Sequence, residues 1–510
     1  MQALDTESSM AQAEMELKKI FEFAMKAARE SIQAHEAEEG IFRRIFRVAL
    51  CAMQSYFAEN GTGDVGAAIE RKDGTVLERE SSLRPRVYFS VFGKLDVPRT
   101  CYRTHGEPGV FPLDEQVNFP MRCYSYFLQE WMAEFSVEQP FGESASKLRR
   151  FFGLDLAESV LGRAAREGQV DYDAFYEQQA PPAPETEGEL QVVSFDGKGV
   201  PVIKSEAAKL KAKLGKGEKR QKKKEALVGV SYTVDRKVRT PEELAEFLVE
   251  PEKARASRKK RAAASRKEGA SGAERKEPKA RNIRRMASLK RKKKKVMKAI
   301  KQDAERRDPE RRRDLVILLD GALGLWAIAL FLFKGWGKKV WHILDIIHVV
   351  SYLWTAGTAL HGEGTRETRA WVKRQLTQIL KGRVGYVIGG MKQSIAKRGL
   401  KRARRAALEK TIGYFERHKR WMRYHEYLAA GLPVATGVVE SACGSVVKNR
   451  MEGEGKRWSV EGAESILLLR SLKKSGDLES YCRFHARREG ERLYGLERKW
   501  RPTPDLDRAA

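Results

Sequence analysis

Three short segments each set an acidic residue in a small or apolar frame. They are Val192-Val193-Ser194-Phe195-Asp196-Gly197, Leu315-Val316-Ile317-Leu318-Leu319-Asp320-Gly321 and Thr436-Gly437-Val438-Val439-Glu440-Ser441-Ala442-Cys443-Gly444. The first two read as buried strands that end in a carboxylate. The third reads as a loop entering a helix that carries one. A carboxylate at an apolar strand end costs free energy unless a partner compensates it. Several within a few ångströms raise one another's pKa, so they call for a counter-charge. Hard cations with oxygen ligands, Mg²⁺ above all, meet that need. Two such ions clamped by carboxylates are the usual device for in-line phosphoryl transfer. A glycine follows each aspartate and lets backbone and solvent approach closely. Ser441, Ala442, Gly444 and Ser445 are small enough for tight helix–sheet packing.

Each of these residues also has a plainer reading. A strand-end aspartate is commonly a turn residue or a helix cap. Glu440 has rivals in Glu452, Glu454, Glu461 and Glu464, which sit in polar or glycine-rich contexts. Asp345 and His348 fall just past a later strand. They read either as supporting groups behind metal ligands or as a helix cap with a core-edge histidine. Lys198, Lys448 and Arg450 suit a phosphate backbone or an ordinary basic surface. Arg457-Trp458 offers a cation beside a ring, which fits a DNA end or a flipped base, or else a packed tryptophan.

Composition points to what such a site would act on. The net charge of +29 over 510 residues is too large for a typical metabolic enzyme and implies a polyanionic partner. Residues 253–300 hold 21 Lys or Arg against three acidic residues, so most of the excess is concentrated there. Lys292, Lys293, Lys294 and Lys295 close that run. Like charges at this density bind polyanions through counterion release. The five scattered cysteines include no CxxC pair, which disfavours a zinc ribbon and suits a reducing cytosol. Met1 to Lys18 is polar and lacks the pattern of a signal peptide. Leu315 to Phe333 is apolar, but Asp320-Gly321 divides it into a strand and a helix, each too short to cross a bilayer.

The elements that must position the three acids follow from periodicity. Residues 1–66 read as a helical region and 67–121 as a small β-rich element with a hairpin turn at Gly93-Lys94. Residues 122–177 are helical, and helices near Glu143–Phe152 and Leu156–Glu167 have helix-turn-helix spacing, which a plain helical bundle shares. The Pro-rich stretch 178–189 is a linker. Residues 190–345 alternate strand and helix in the manner of a mixed α/β sheet, with a basic insert at 241–300. Helices fill 346–435. Residues 436–475 return to the sheet with helices near Val438–Arg450 and Val460–Lys473, and 476–510 form a C-terminal tail.

The fragments FDGKGVP, LLDGALGLW, ILDIIHVVSYLW, TGVVESACGSVVKNRMEGEGKRWSVEGAE and PLDEQVNFP resemble bacterial insertion-sequence transposases of the ISKra type. These belong to the DDE (Asp-Asp-Glu) superfamily. The resemblance spans most of residues 80–475. It implies a ribonuclease-H-like core with an all-helical insertion, behind a mostly helical N-terminal DNA-binding region. It also implies that Asp196, Asp320 and Glu440 bind two Mg²⁺ ions, with Mn²⁺ as a substitute. The expected activity is phosphodiester hydrolysis at element ends followed by strand transfer into target DNA. Double-stranded DNA would be the partner, the assembly a homodimer or larger, and the location cytoplasmic at the nucleoid, without a membrane. A nuclease of the same fold and a DNA-binding protein that has lost catalysis are the alternatives.

Overall fold

The computed structural model describes residues 4–210, 222–254, 277–453, 455–497 and 499–503. The chain divides into two units, Gln178–Ser475 and the pair of segments Met1–Glu177 and Gly476–Ala510.

The Gln178–Ser475 unit is a mixed α/β fold built on a five-stranded sheet. Its strands are β1 (Leu190–Pro201), β2 (Lys223–Val234), β3 (Arg281–Ser288), β4 (Asp314–Leu319) and β5 (Val340–Leu344). They lie in the order β5-β4-β1-β2-β3. The first three form an antiparallel meander, while β4 runs parallel to β1 and β5 parallel to β4. Val192, Val193, Phe195 and the run Leu315–Leu319 are fully buried, as strands covered on both faces must be.

One face of the sheet takes the helix Lys293–Arg307, which buries Val296, Met297, Ile300 and Ala304. Gly229 on β2 marks the closest approach. A Cβ there would lie 2.8 Å from Ile300 Cγ1 and 3.0 Å from the Phe195 ring. The same helix ends in a buried ion pair, with the Arg307 guanidinium bidentate on Glu187 at 2.7 Å for both bonds. Side chains alternate along β1, so Asp196 faces away from that helix. There the segment after residue 436 packs. Between β5 and that segment come the helices Ile346–His361, Arg366–Leu380, Val384–Lys397, Arg402–His418 and Tyr424–Ala429, the expected all-helical insertion.

Two expectations need correction in this unit. The basic region 241–300 is not simply an insert, because its described ends are elements of the fold. Pro241–Val249 is a helix with a Thr240–Glu243 capping box, and Arg281–Ser288 is the sheet's edge strand. Of the basic run 253–300, residues 255–276 lie outside the described residues. The helix expected over Val438–Arg450 is three pieces: Gly437–Ala442, a π-helical turn Cys443–Lys448, and Asn449–Met451. The strand and helix expected on either side of Asp320-Gly321 are Asp314–Leu319 and Leu323–Leu332.

The other unit begins with helices Thr6–Arg29 and Ala34–Glu59. Its hairpin Arg84–Ser90/Gly93–Arg99 pairs Ser90 with Gly93. The turn is therefore Val91-Phe92, not Gly93-Lys94. Buried Val91 anchors this turn to the core of helices Tyr126–Glu138, Phe141–Phe152 and Glu158–Glu167. Gly153 joins the last two at φ +69, the left-handed C-cap that glycine adopts without strain. Residues 476–510 are more than a tail. Leu478–Tyr494 is a helix, and Trp500–Pro502 pairs antiparallel with Ala68–Arg71, burying Trp500 beside Ile69, Leu77 and Tyr102. A three-residue strand carries too little periodicity to be read from sequence. Among the described residues no helix is long and apolar enough to cross a membrane.

Candidate functional site

Strand register brings the acids together. Phe195 on β1 and Leu344 on β5 both pair with Leu319 on β4, which lies between them. The next residue on each chain is an aspartate: Asp196, Asp320 and Asp345. Neighbouring strands are about 4.8 Å apart. Three carboxylates thus form a row where the parallel pairing of β1, β4 and β5 stops; Asp196 does not end its strand as expected, because β1 runs on to Pro201 paired with β2. The backbone N–H of Asp345 donates to Leu319 O at 2.8 Å, which extends the ladder up to the row.

Each aspartate is oriented locally. Gly197 N–H donates to Asp196 Oδ1 at 2.7 Å, and Ala322 N–H to Asp320 Oδ1 at 2.9 Å. Asp345 is fully buried and caps the helix Ile346–His361 through Ile347 N–H at 3.1 Å. It also accepts from Thr436 N–H at 3.2 Å and the Thr436 hydroxyl at 2.6 Å. Burial pushes the Asp345 carboxyl above its ordinary range despite these donors. Burial, with the Asp196 charge nearby, also raises Asp320.

The segment 436–448 lies across the row and ties its ends together. At one end Thr436 Oγ1 lies 2.6 Å from Asp345 Oδ2 and 3.2 Å from Glu440 Oε1. One hydroxyl proton cannot serve both acceptors fully. The shorter contact takes it, and the exposed Glu440 carboxylate retains lone pairs for another partner. At the other end the buried Cys443 thiol donates to Asp196 Oδ2 at 3.3 Å. Burial and then the Asp196 charge push that thiol far above its usual pKa, so it remains a donor. Glu440 and Cys443 are three apart and share a helix face. The π-helical turn that follows is held by buried Arg470, whose Nε donates to Ser445 O at 2.7 Å. Such turns concentrate at functional sites.

The tightest ligand group is not the one expected. Atoms of Asp345, His348 and Glu440 all lie within 4.8 Å of one another, and among the described residues no other trio does so. Glu440 therefore stands near Asp345 at one end of the row, with Asp320 and then Asp196 continuing it on the neighbouring strands. His348 Nε2 is 3.9 Å from Asp345 Oδ2. Among the described residues no lysine or arginine forms an ion pair with Asp196, Asp320 or Glu440. Four carboxylates face one imidazole, an arrangement with room for a cation's charge.

The rivals of Glu440 are accounted for elsewhere. Glu464 is buried and accepts from Leu289 N–H, Lys290 N–H and the Ser288 hydroxyl at 2.7, 2.9 and 2.7 Å. Glu461 pairs with Lys290 and Glu452 with Lys223. Glu454 lies outside the described residues.

The basic candidates divide. Lys448, Arg457 and Lys292–Lys295 are exposed, and Lys198 is half-buried beside the Cys443–Asp196 contact. Lys293 pairs with Glu225 at 2.5 Å, and Lys294 covers the Phe331 ring. Arg450, expected at the surface, is instead 2% exposed and stacks its guanidinium 4.6 Å over Trp458. Trp458 is buried too, and its Nε1 donates to Met451 O at 3.1 Å. Its backbone bonds Pro201 and Ile203 at the end of β1. With one face under Arg450 and its edge bonded, this ring is a packing residue rather than a stacking platform for a base.

Sequence reading missed Thr436, Cys443 and a layer of aromatic residues behind Gly321. The only linear signal for Thr436 was its spacing, one helical turn before Glu440. No protein-family model matches this chain, and no curated protein does.

Proposed function

We propose that the chain is a DDE-type DNA transposase that uses divalent cations for phosphoryl transfer. The observation that carries this reading is the row Asp196–Asp320–Asp345, closed by Glu440 from a helix laid across it. The strand order β3-β2-β1-β4-β5, in which β2 alone runs against the other four, supports a ribonuclease-H-like core. The donor set is hard, carboxylate oxygen with one imidazole, which suits Mg²⁺ or Mn²⁺ better than a thiophilic metal. Bound there, such ions would activate water and stabilise the leaving oxygen. Asp196, Asp320, Glu440 and Asp345 would hold them, and Thr436 would set the angle between Asp345 and Glu440.

The charge distribution supports a polyanionic substrate. Lys293, Lys294 and Lys295 occupy the first turn of a helix, after Lys292 at its N-cap. Cations are disfavoured at that end of the helix dipole. A phosphate backbone would relieve the cost.

The test is a cleavage and strand-transfer assay on the DNA that flanks the gene, with Mg²⁺ or Mn²⁺. Asp196→Ala, Asp320→Ala and Glu440→Gln should each abolish both steps. Full activity in any of them removes that residue from the site. Hydrolysis without joining would favour a nuclease, and DNA binding without cleavage a non-catalytic protein.

A further inference from the structure

The helical insertion reaches the carboxylate row through one helix. Arg402–His418 places Tyr414 and His418 against the Asp320-Gly321 corner. His418 Nε2 lies 3.0 Å from Gly321 O, and its Nδ1 lies 2.7 Å from Tyr414 O. Tyr414 stacks on Tyr352, with ring centroids 3.9 Å apart at 15°. A Cβ on Gly321 would lie 2.4 Å from Tyr414 Cε2 and 2.7 Å from its hydroxyl oxygen. Glycine is thus required there by close approach, and the phenol sits directly over the corner that presents Asp320.

Its hydroxyl is anomalous. Tyr414 is 6% exposed, yet its oxygen is buried with no hydrogen-bond partner. A buried hydroxyl without a partner costs free energy, so a native one calls for an explanation. Burial comes first in pushing this phenol above its usual pKa, and the charges of Asp320 and Asp345 add to it. The hydroxyl lies within the field of both aspartates. A buried hydroxyl without a partner, next to unneutralised carboxylates, fits a ligand that brings its own hydrogen-bonding groups. Mg²⁺ and Mn²⁺ do so, because Mg²⁺ in particular retains several waters when bound by carboxylates.

We propose that Tyr414 is the helical insertion's contribution to the cation site, its hydroxyl oxygen accepting a hydrogen bond from a water in the hydration shell of a divalent ion held at Asp320 and Asp345. This rests on the cation reading given above. Tyr414 is then a positioning residue. The insertion would sense whether the site is loaded, because one of its helices gains a hydrogen bond only in that state.

The experiment measures Mn²⁺ affinity and thermal stability of the full-length chain, with Tyr414→Phe, Tyr414→Met and Asp320→Asn. Without metal, Tyr414→Phe should melt at the wild-type temperature or above, since it removes only an unbonded hydroxyl. Its Mn²⁺ dissociation constant should rise about fivefold, the size of one lost hydrogen bond. The stabilisation by saturating Mn²⁺ should shrink accordingly. Tyr414→Met also lacks the hydroxyl and fills irregular space. It should show the same weakening should the phenylalanine variant fail to fold. Wild-type Mn²⁺ affinity in a folded Tyr414 variant, alongside weakened binding in Asp320→Asn, would overturn this role and leave the cation site standing. Wild-type affinity in Asp320→Asn would overturn both.

Discussion

Thr436 shows how one hydroxyl settles the geometry of a charged site. Asp345 has no solvent exposure, and its best donor is that hydroxyl at 2.6 Å. Without it a buried carboxylate oxygen loses its partner, which costs about 1–3 kcal/mol. Thr436→Val should lower unfolding stability in urea by that amount, and Thr436→Ser should restore most of it. The valine variant should also weaken Mn²⁺ binding, because the contact between Thr436 and Glu440 disappears with it. A valine variant as stable as wild type would mean that Asp345 is protonated or bonded otherwise. Cys443 makes the corresponding contact at the Asp196 end. Cys443→Ser keeps a donor of smaller size and should be tolerated there.

At the scale of elements, the sheet depends on the helix Lys293–Arg307. Its apolar face meets β1 and β2 closely enough that Gly229→Ala should strike Ile300 and Phe195. Overpacking of this kind costs about 1–3 kcal/mol, readable as a lower urea midpoint at unchanged slope. The helix's last turn adds the buried pair of Arg307 with Glu187, in which Thr233 also donates to Glu187. Removing one partner of a buried pair strands the other charge and costs about 3–5 kcal/mol, so Glu187→Ala should be far worse than a surface substitution. Burial works to raise the Glu187 carboxyl, but Arg307 and Thr233 outweigh it and hold it below its ordinary 4.5. A depressed carboxyl contributes stability above that value and loses it as pH falls through the folded-state value. The wild-type chain should therefore lose stability below about pH 4.5, and Glu187→Gln should flatten that part of the curve. Equal slopes in the two proteins would show that the pair does not govern acid unfolding.

For the whole molecule the decisive quantity is charge. A chain at +29 should bind DNA with steep salt dependence. Each phosphate neutralised contributes about 0.9 to the slope of log affinity against log salt. Replacing Lys292, Lys293, Lys294 and Lys295 with alanine should reduce that slope by roughly 2–4, with little change in melting temperature because all four are exposed. An unaltered slope would place the DNA contacts elsewhere. On the proposed function, the position of these lysines would bring DNA towards the site. Lys293 pairs with Glu225, whose charge is felt at Asp320, so a backbone gripped there passes close to the carboxylate row.

Local chemistry was legible in the chain. Apolar runs ending in Asp196 and Asp320 announced buried strands, since only such a run suits a strand covered on both faces. The small residues around Glu440 announced a helix that packs closely, and the lack of any strand pattern over 346–435 announced helices. What adjoins what was not legible. Asp345 joined the row because the β4–β5 register sets Leu344 beside Leu319, and register is a relation between strands that no single segment contains. Arg450 and Trp458 looked like surface groups until packing placed one over the other. Tyr414 lies 94 residues after Asp320, in an element read only as helix. The fold alone put its unbonded hydroxyl over Gly321, because burial and hydrogen-bond satisfaction are decided by what the rest of the chain brings near.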